Sequence, residues 1–398
     1  MAIQKLEPFR HHRRCETRAT GESGIGRFNV SPILTIAREC VIVHGSGTNG
    51  NLLLPLFLAA PGGRARRTRL AGGCWGAATA MGVSNLAEEG AQSWEERRRQ
   101  WLAYVEKTLE TLQIGRSIPA GPSSQPLIQP PRPDGAREGS TILLASPHPD
   151  DEALIGALPL RLRLEAGARV VNCAVTLGSD LTQRARRRAE LESSCRVLGF
   201  DLIVPGDQGF DDVRLECRNT HPREWQDKVE ALRKIFDQAR PDAVFAPHAE
   251  DFNATHIGTH YLALDALSAH LARTGRPSAL LIETEYWHEH SRPNLMVGVS
   301  PKVLALQIMA TAEHGGEVSR NPYHLGLPAR MMDNVRRGSE VVGGQGAATQ
   351  PFPFAELYRI TFMDGKTQIQ PRSGGSMVGP GGKVSLNELR ARFWPGNP

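Results

Sequence analysis

The sequence predicts an α/β fold: a Rossmann-like, mostly parallel sheet with helices on both faces, preceded by an N-terminal extension. Three observations predict it. From Thr141 onward, short apolar runs alternate with amphipathic stretches, the pattern of successive β-α units. The residues of chemical interest fall where such runs end, and open α/β sheets bind ligands outside the carboxyl ends of their strands. No Gly-x-Gly-x-x-Gly follows the first strand, so the dinucleotide fingerprint is missing and no nicotinamide cofactor is implied.

Residues 1–80 have no sustained periodicity and hold eleven Lys/Arg against four Asp/Glu, a balance of +7. Residues 81–398 therefore carry −2 of the overall +5, and the basic character of the chain does not point its main domain towards nucleic acid. The run Arg64 to Arg69 reads as a solvated, disordered tail. Composition changes at Met81, and the extension reads as disordered or as an over-extended gene prediction with Met81 the true start. The apolar run Leu52 to Ala60 is broken by Pro55 and is too short to span a bilayer, and no signal-peptide layout precedes it. Six scattered cysteines without a Cys-x-x-Cys pair indicate a reducing compartment. The expectation is a soluble cytoplasmic protein with neither a membrane nor a nucleic-acid partner.

Residues 81–115 are expected to contain an amphipathic helix opened by a capping box, Ser93 with Glu96. Trp94, Trp101, Leu102, Val105, Leu109 and Leu112 form its apolar stripe, expected to pack on the catalytic domain or a second copy. Residues 116–139 are a Pro-rich linker. The main domain spans 140–364: strands at 141–145, 169–177, 201–204, 242–246 and 279–286, with helices at about 153–167, 182–198, 224–238, 255–273 and 301–313. A polar, glycine-rich stretch follows, containing His314, Tyr323 and His324 without a role. The Gly/Pro-rich tail, 365–398, closes with a short helix that Ser385-Leu-Asn-Glu388 would cap.

The stretch Ser146-Pro-His148-Pro-Asp150-Asp151-Glu152 lies between the first strand and the first helix. His148 and Asp151, three residues apart across a prolyl turn, can face one metal ion. Asp150 is then aimed elsewhere and stays free as a base, a division that hydrolytic metal sites need. Helix capping accounts for one aspartate here, but not for a histidine and three consecutive acids.

A second constellation follows the strand at 242–246. Its loop holds His248, Asp251, Asn253, His256 and His260. Two strand ends bearing His and Asp supply what a three-ligand zinc site with water in the fourth position requires. Other polar candidates are Arg187, Asp212 and the group Glu283, Glu285, His288 and His290 around Trp287.

His148-Pro-Asp-Asp-Glu152 after a strand, with a later Asp251-x-Asn-x-x-His256, resembles the PIG-L/LmbE-like zinc-dependent deacetylases. Further matching features are Arg187-x-x-Glu190 ahead of Leu198-Gly199, Glu285-x-Trp287 and Phe354-Ala-Glu356, so the resemblance runs from Thr141 to about Phe362. It implies an LmbE-like fold, Zn2+ as cofactor, and removal of acetyl from a small N-acetyl sugar conjugate. It implies His148, Asp151 and His256 as zinc ligands, Asp150 as general base, and Arg187 and Asp212 as substrate-binding residues. The sequence departs from the commoner His-Pro-Asp-His form of the second motif, having Asn253-Ala-Thr-His256. This leaves the positioning of His256 and the protonation of the leaving amine to be shared among His248, Asp251, Asn253 and His288. Two alternatives use the same residues: a non-haem Fe(II) enzyme with a two-His, one-carboxylate triad, and a non-catalytic sugar-binding module.

Overall fold

The computed structural model describes residues 81–122 and 139–395, with side chains in the first helix described from Trp94 onward. The readings of residues 1–80, and of the linker between 123 and 138, lie outside the described residues.

After the first helix, α1 (Met81–Ser117), the chain lays down β1 (Thr141–Ser146), α2 (Asp151–Leu154), α3 (Ala157–Ala166), β2 (Arg169–Ala174), α4 (Arg184–Leu198) and β3 (Asp201–Ile203). Then come α5 (Leu215–Thr220), α6 (Pro222–Ala239), β4 (Ala243–Pro247), α7 (Ala254–Thr274), β5 (Ala279–Thr284), β6 (Leu295–Gly298), α8 (Pro301–Ala312) and α9 (Gly315–Arg320). The last elements are α10 (Tyr323–Gly343), β7 (Ala355–Met363), β8 (Gln368–Ile369), β9 (Ser376–Val378) and α11 (Leu386–Phe393). The sheet runs β3-β2-β1-β4-β5-β7-β6-β9, with β8 added to β7. From β3 to β5 every pair is parallel, whereas β7 is antiparallel to both β5 and β6. The expected α/β architecture is therefore the observed one, with a mixed edge.

Strand periodicity explains the two cores. Along β1, Ile142 and Leu144 join the apolar cluster of α3, α4 and α8, while Leu143 and Ala145 join that of α6 and α7. Both faces of the parallel strands are covered, so β1 reads as an unbroken apolar run rather than an alternation. Because β2 lies on one side of β1 and β4 on the other, the crossovers diverge there, and the crevice between the ends of β1 and β4 is the topological switch point. Among the described residues Cys173, Cys195 and Cys217 are free and buried, and no helix is long and apolar enough to cross a membrane.

Four expectations are corrected. Ser93 does not open a helix, since α1 already runs from Met81. The stripe of α1 does not pack on the domain: Trp94, Trp101, Leu102, Val105 and Leu109 are each more than half exposed. The spacing of those residues specifies an apolar face but not what covers it. The helix after β1 breaks at Ile155–Gly156 into α2 and α3. The polar stretch after residue 313 is largely the 21-residue α10, which the sequence reading left without an element, as it did β6. At the C-terminus Ser385 Oγ accepts from Glu388 N at 3.2 Å, and α11 buries Leu386, Leu389 and Phe393.

Gly258, in the first turns of α7, is the tightest glycine near the switch point, where a Cβ would lie 2.2 Å from the Val213 carbonyl oxygen. Alanine in a helix ordinarily gains about 1 kcal/mol over glycine. Here the clash with fixed backbone dominates, and Gly258→Ala is expected to lower stability in urea unfolding by about 1–3 kcal/mol. A stability equal to or above the parent's would show that the loop before α5 yields freely.

Candidate metal centre

The loop after β1 is shaped by Asp150, whose backbone is left-handed (φ 115°, ψ −29°). An aspartate there stores roughly 1–3 kcal/mol of strain unless its surroundings fix it. They do so through Glu152, whose Oε2 accepts from Asp150 N at 3.0 Å. The Asp150 carbonyl also accepts from Ala153 N and Leu154 N, at 3.1 and 3.2 Å. This turn sends the two adjacent carboxylates apart. Asp151 Oδ2 accepts from His148 N at 2.8 Å and faces both imidazoles, whereas Asp150 accepts from the Tyr323 hydroxyl.

The second loop is built by a helix cap. Asn253 Oδ1 accepts from Thr255 N at 2.9 Å and His256 N at 3.4 Å, which starts α7 and points His256, fully buried, at the end of β1. His148 Nδ1 and His256 Nε2 are 3.2 Å apart, and Asp151 Oδ2 is 3.5 and 3.4 Å from them. These are the only three His, Cys, Asp or Glu side chains that converge as a candidate metal set among the described residues. Ligands about 2.0–2.1 Å from a tetrahedral zinc lie roughly 3.3 Å from one another, so the donor set and its spacing fit that ion.

Electrostatics divides the cluster. Burial, and next the neighbouring Asp151 carboxylate, push Asp150 up to about 7, against His314, the Tyr323 hydroxyl and Arg187, which favour its charge. Burial alone would raise Asp151 too, but His256 and His148 hold it below the usual carboxylate range. For His256 burial opposes protonation, and Asp151 and Asp251 outweigh it, so its pKa is raised.

The remaining sequence candidates separate. Asp251 Oδ2 faces His256 Nδ1 at 3.5 Å, and Asp251 is itself fixed by Asn253 N at 2.8 Å and Trp287 N at 3.3 Å. His248 lies with His288 and His290 instead, its Nε2 2.9 Å from the His288 carbonyl oxygen. Asn253 spends its side chain on the cap, and His288 is exposed. Arg187 reaches the first loop, donating to the Pro149 carbonyl at 3.2 Å, with Glu317 3.7 Å away. Asp212 sits in a left-handed turn with its carboxylate paired to Arg214.

Two residues without a role in the sequence prove to hold the first loop. His314 Nε2 donates to Glu152 Oε1 at 2.7 Å, both side chains fully buried. Tyr323, the first residue of α10, reaches Asp150 across 173 positions. No local signal marks either, because both act through long-range placement.

Residues 143–267 match the family model PIG-L, described as GlcNAc-PI de-N-acetylase. That segment contains His148, Asp150, Asp151 and His256 together. The matched segment is similar to the PIG-L family. No curated protein matches it. Among solved structures it is similar to N,N'-diacetylchitobiose deacetylase from Pyrococcus horikoshii, at 19% identity over 57% of this chain and 84% of that one, with a TM-score of 0.41. It is also similar to a zinc-inhibited form of teicoplanin deacetylase (15%, 56% and 98%, TM-score 0.41). A third is the 4-carboxy-2-hydroxymuconate hydratase of Pseudomonas putida KT2440 (15%, 60% and 99%, TM-score 0.44). Likeness of this degree spans deacetylases and a hydratase, so it does not select a reaction.

Two measurements bear on this candidate metal centre. Asp251→Asn should weaken zinc binding about 10–100-fold, the usual effect of losing a carboxylate behind a ligating histidine; unchanged affinity in a competition titration would remove Asp251 from that role. The raised pKa of His256 means that its protonated form stabilises the metal-free protein. That contribution is complete below about pH 6.5, the unfolded value, and is lost as pH rises through the raised folded value. Zinc requires the neutral ring, so affinity should climb as pH rises through that raised value, with proton release. A flat profile, read by calorimetry in buffers of different ionisation enthalpy, would contradict this.

Proposed function

We propose that this protein is a PIG-L-type, zinc-dependent amidohydrolase that removes the acetyl group from an N-acetylated amino sugar or sugar conjugate. One observation carries the reading: a buried carboxylate, Asp150, stands beside converged His148, Asp151 and His256 without being one of the converging donors. A pure binding site has no use for such a base. The family description, GlcNAc-PI de-N-acetylase, supports an N-acetylglucosaminyl substrate.

In this reading His148, Asp151 and His256 hold the ion, which when bound polarises the amide carbonyl and lowers the pKa of a water towards about 7. Asp150, with its pKa near 7, takes a proton from the attacking water. Tyr323 fixes the carboxylate by donating to Oδ2, and Arg187 steadies the same loop through the Pro149 carbonyl. As the C–N bond breaks, Asp150 returns that proton to the departing nitrogen, so water and amide become acetate and free amine. One group then serves as base and acid, which suits a site where His248 and Asn253 are engaged elsewhere and His288 is exposed.

Acetate release from a panel of N-acetylglucosamine conjugates by zinc-loaded protein tests this. Asp150→Asn should cut turnover by about 10²–10⁴-fold with zinc stoichiometry intact; metal loss in that variant would make Asp150 a ligand. Tyr323→Phe should lower kcat about tenfold and leave zinc bound, as expected for one lost hydrogen bond to a charged group. Iron in place of zinc on elemental analysis of the native protein would revive the non-haem reading. Silence across the panel with stoichiometric zinc would favour a sugar-binding module.

A further inference from the structure

Beside the metal centre lies a cavity of about 230 Å³, walled by Leu154, Tyr286, Trp287, Tyr323, Leu327 and Arg330. It is adjacent to the chemistry on two sides. The Tyr286 ring meets His256 edge-on, with centroids 4.7 Å apart, and the Tyr323 hydroxyl is bonded to Asp150. Trp287, nearly half exposed, meets Tyr323 edge-on and forms the mouth. A glycine keeps the cavity open: Gly326 lines it from α10, and a Cβ built there would meet nothing within 4 Å.

The wall is mostly apolar and aromatic, and several of its polar atoms are engaged. Tyr323 donates to Asp150, the Tyr286 hydroxyl is bonded to Thr284, and Arg330 donates to the Glu285 carbonyl. A sugar ring placed here would give up water at its hydroxyls with few partners to replace it, at a cost of about 1–3 kcal/mol for each group left unpaired. An apolar group meets no such penalty. Apolar cavities of about 150 Å³ take up benzene, so this one has room for a slightly larger group, but not for a whole conjugate, whose pockets run to about 300–1,000 Å³.

We propose that this cavity is a subsite for an apolar substituent next to the scissile amide, a phenyl ring or a chain of about six to eight carbons, and that it selects substrates bearing one. The inference rests on the amidohydrolase reading for the position of the amide. The substituent comes either from the acyl side or from the aglycone, and the two arms of the test separate these sources.

The test measures binding by calorimetry to the zinc-loaded Asp150→Asn full chain, where turnover does not interfere. One arm runs N-acetyl-, N-butanoyl-, N-hexanoyl- and N-octanoyl-glucosamine; the other compares methyl, phenyl and octyl glycosides of N-acetylglucosamine. In one arm affinity should rise about three- to fourfold per buried methylene until the cavity is full. Gly326→Leu, which fills the cavity from a helical position with open space, should abolish that gain and leave the affinity of N-acetylglucosamine itself unchanged. Trp287→Ala should reduce the gain. Equal affinity throughout both arms, or a gain that survives Gly326→Leu, overturns the proposal. A gain that Gly326→Leu removes, in a protein that releases acetate from nothing, would uphold the subsite and reject the deacetylase reading.

Discussion

The structure of the site depends on one buried carboxylate. Glu152 is fully enclosed, and its two oxygens accept from Asp150 N, the Ser194 hydroxyl and His314. Burial disfavours a charged His314, but Glu152 outweighs it and raises the histidine's pKa, favouring a buried ion pair between them. Removing one member of such a pair costs about 3–5 kcal/mol. Here the loss would also release the left-handed turn that parts Asp150 from Asp151. Ser194 comes from α4 and His314 from the junction of α8 and α9, so two distant segments converge on the carboxylate that holds this loop.

The rest of the site follows from sheet topology. Crossovers leave β1 in opposite directions, and this opens a crevice between the ends of β1 and β4 that no connecting segment fills. One loop contributes His148 and Asp151 to this crevice, and the other, capped by Asn253, contributes His256. Covered on both faces, the parallel strands fix the two loops against each other, and this sets the spacing of the three converging side chains. α10 closes the arrangement from outside the parallel sheet, placing Tyr323 on Asp150 and Gly326 on the adjoining cavity.

What was readable in the sequence, and what was not, divides along physical lines. His148 to Glu152 declared themselves because their spacing acts within one turn. α10 did not, because its buried face uses His324, Asn334, Gly338 and Ser339 among Leu327, Met331, Val335 and Val342, which conceals a regular three-to-four spacing. His248 looked as suitable as Asp251 to back His256; the loop turns it instead towards His288 and His290. Asn253 reads as a lost catalytic residue against the commoner motif, yet it works as the cap that starts α7.

The sequence by itself determined the alternation of strands and helices, the two strand-end loops, and the residue types able to hold a metal and move a proton, because these are fixed by periodicity and by neighbours a few positions apart. Only the tertiary structure decided that Asp251 rather than His248 faces His256, that His314 and Tyr323 hold a loop more than 160 positions away, and that an apolar cavity adjoins the centre. Such contacts depend on which distant segments the packed sheet brings together, and no local pattern of residues encodes that distance.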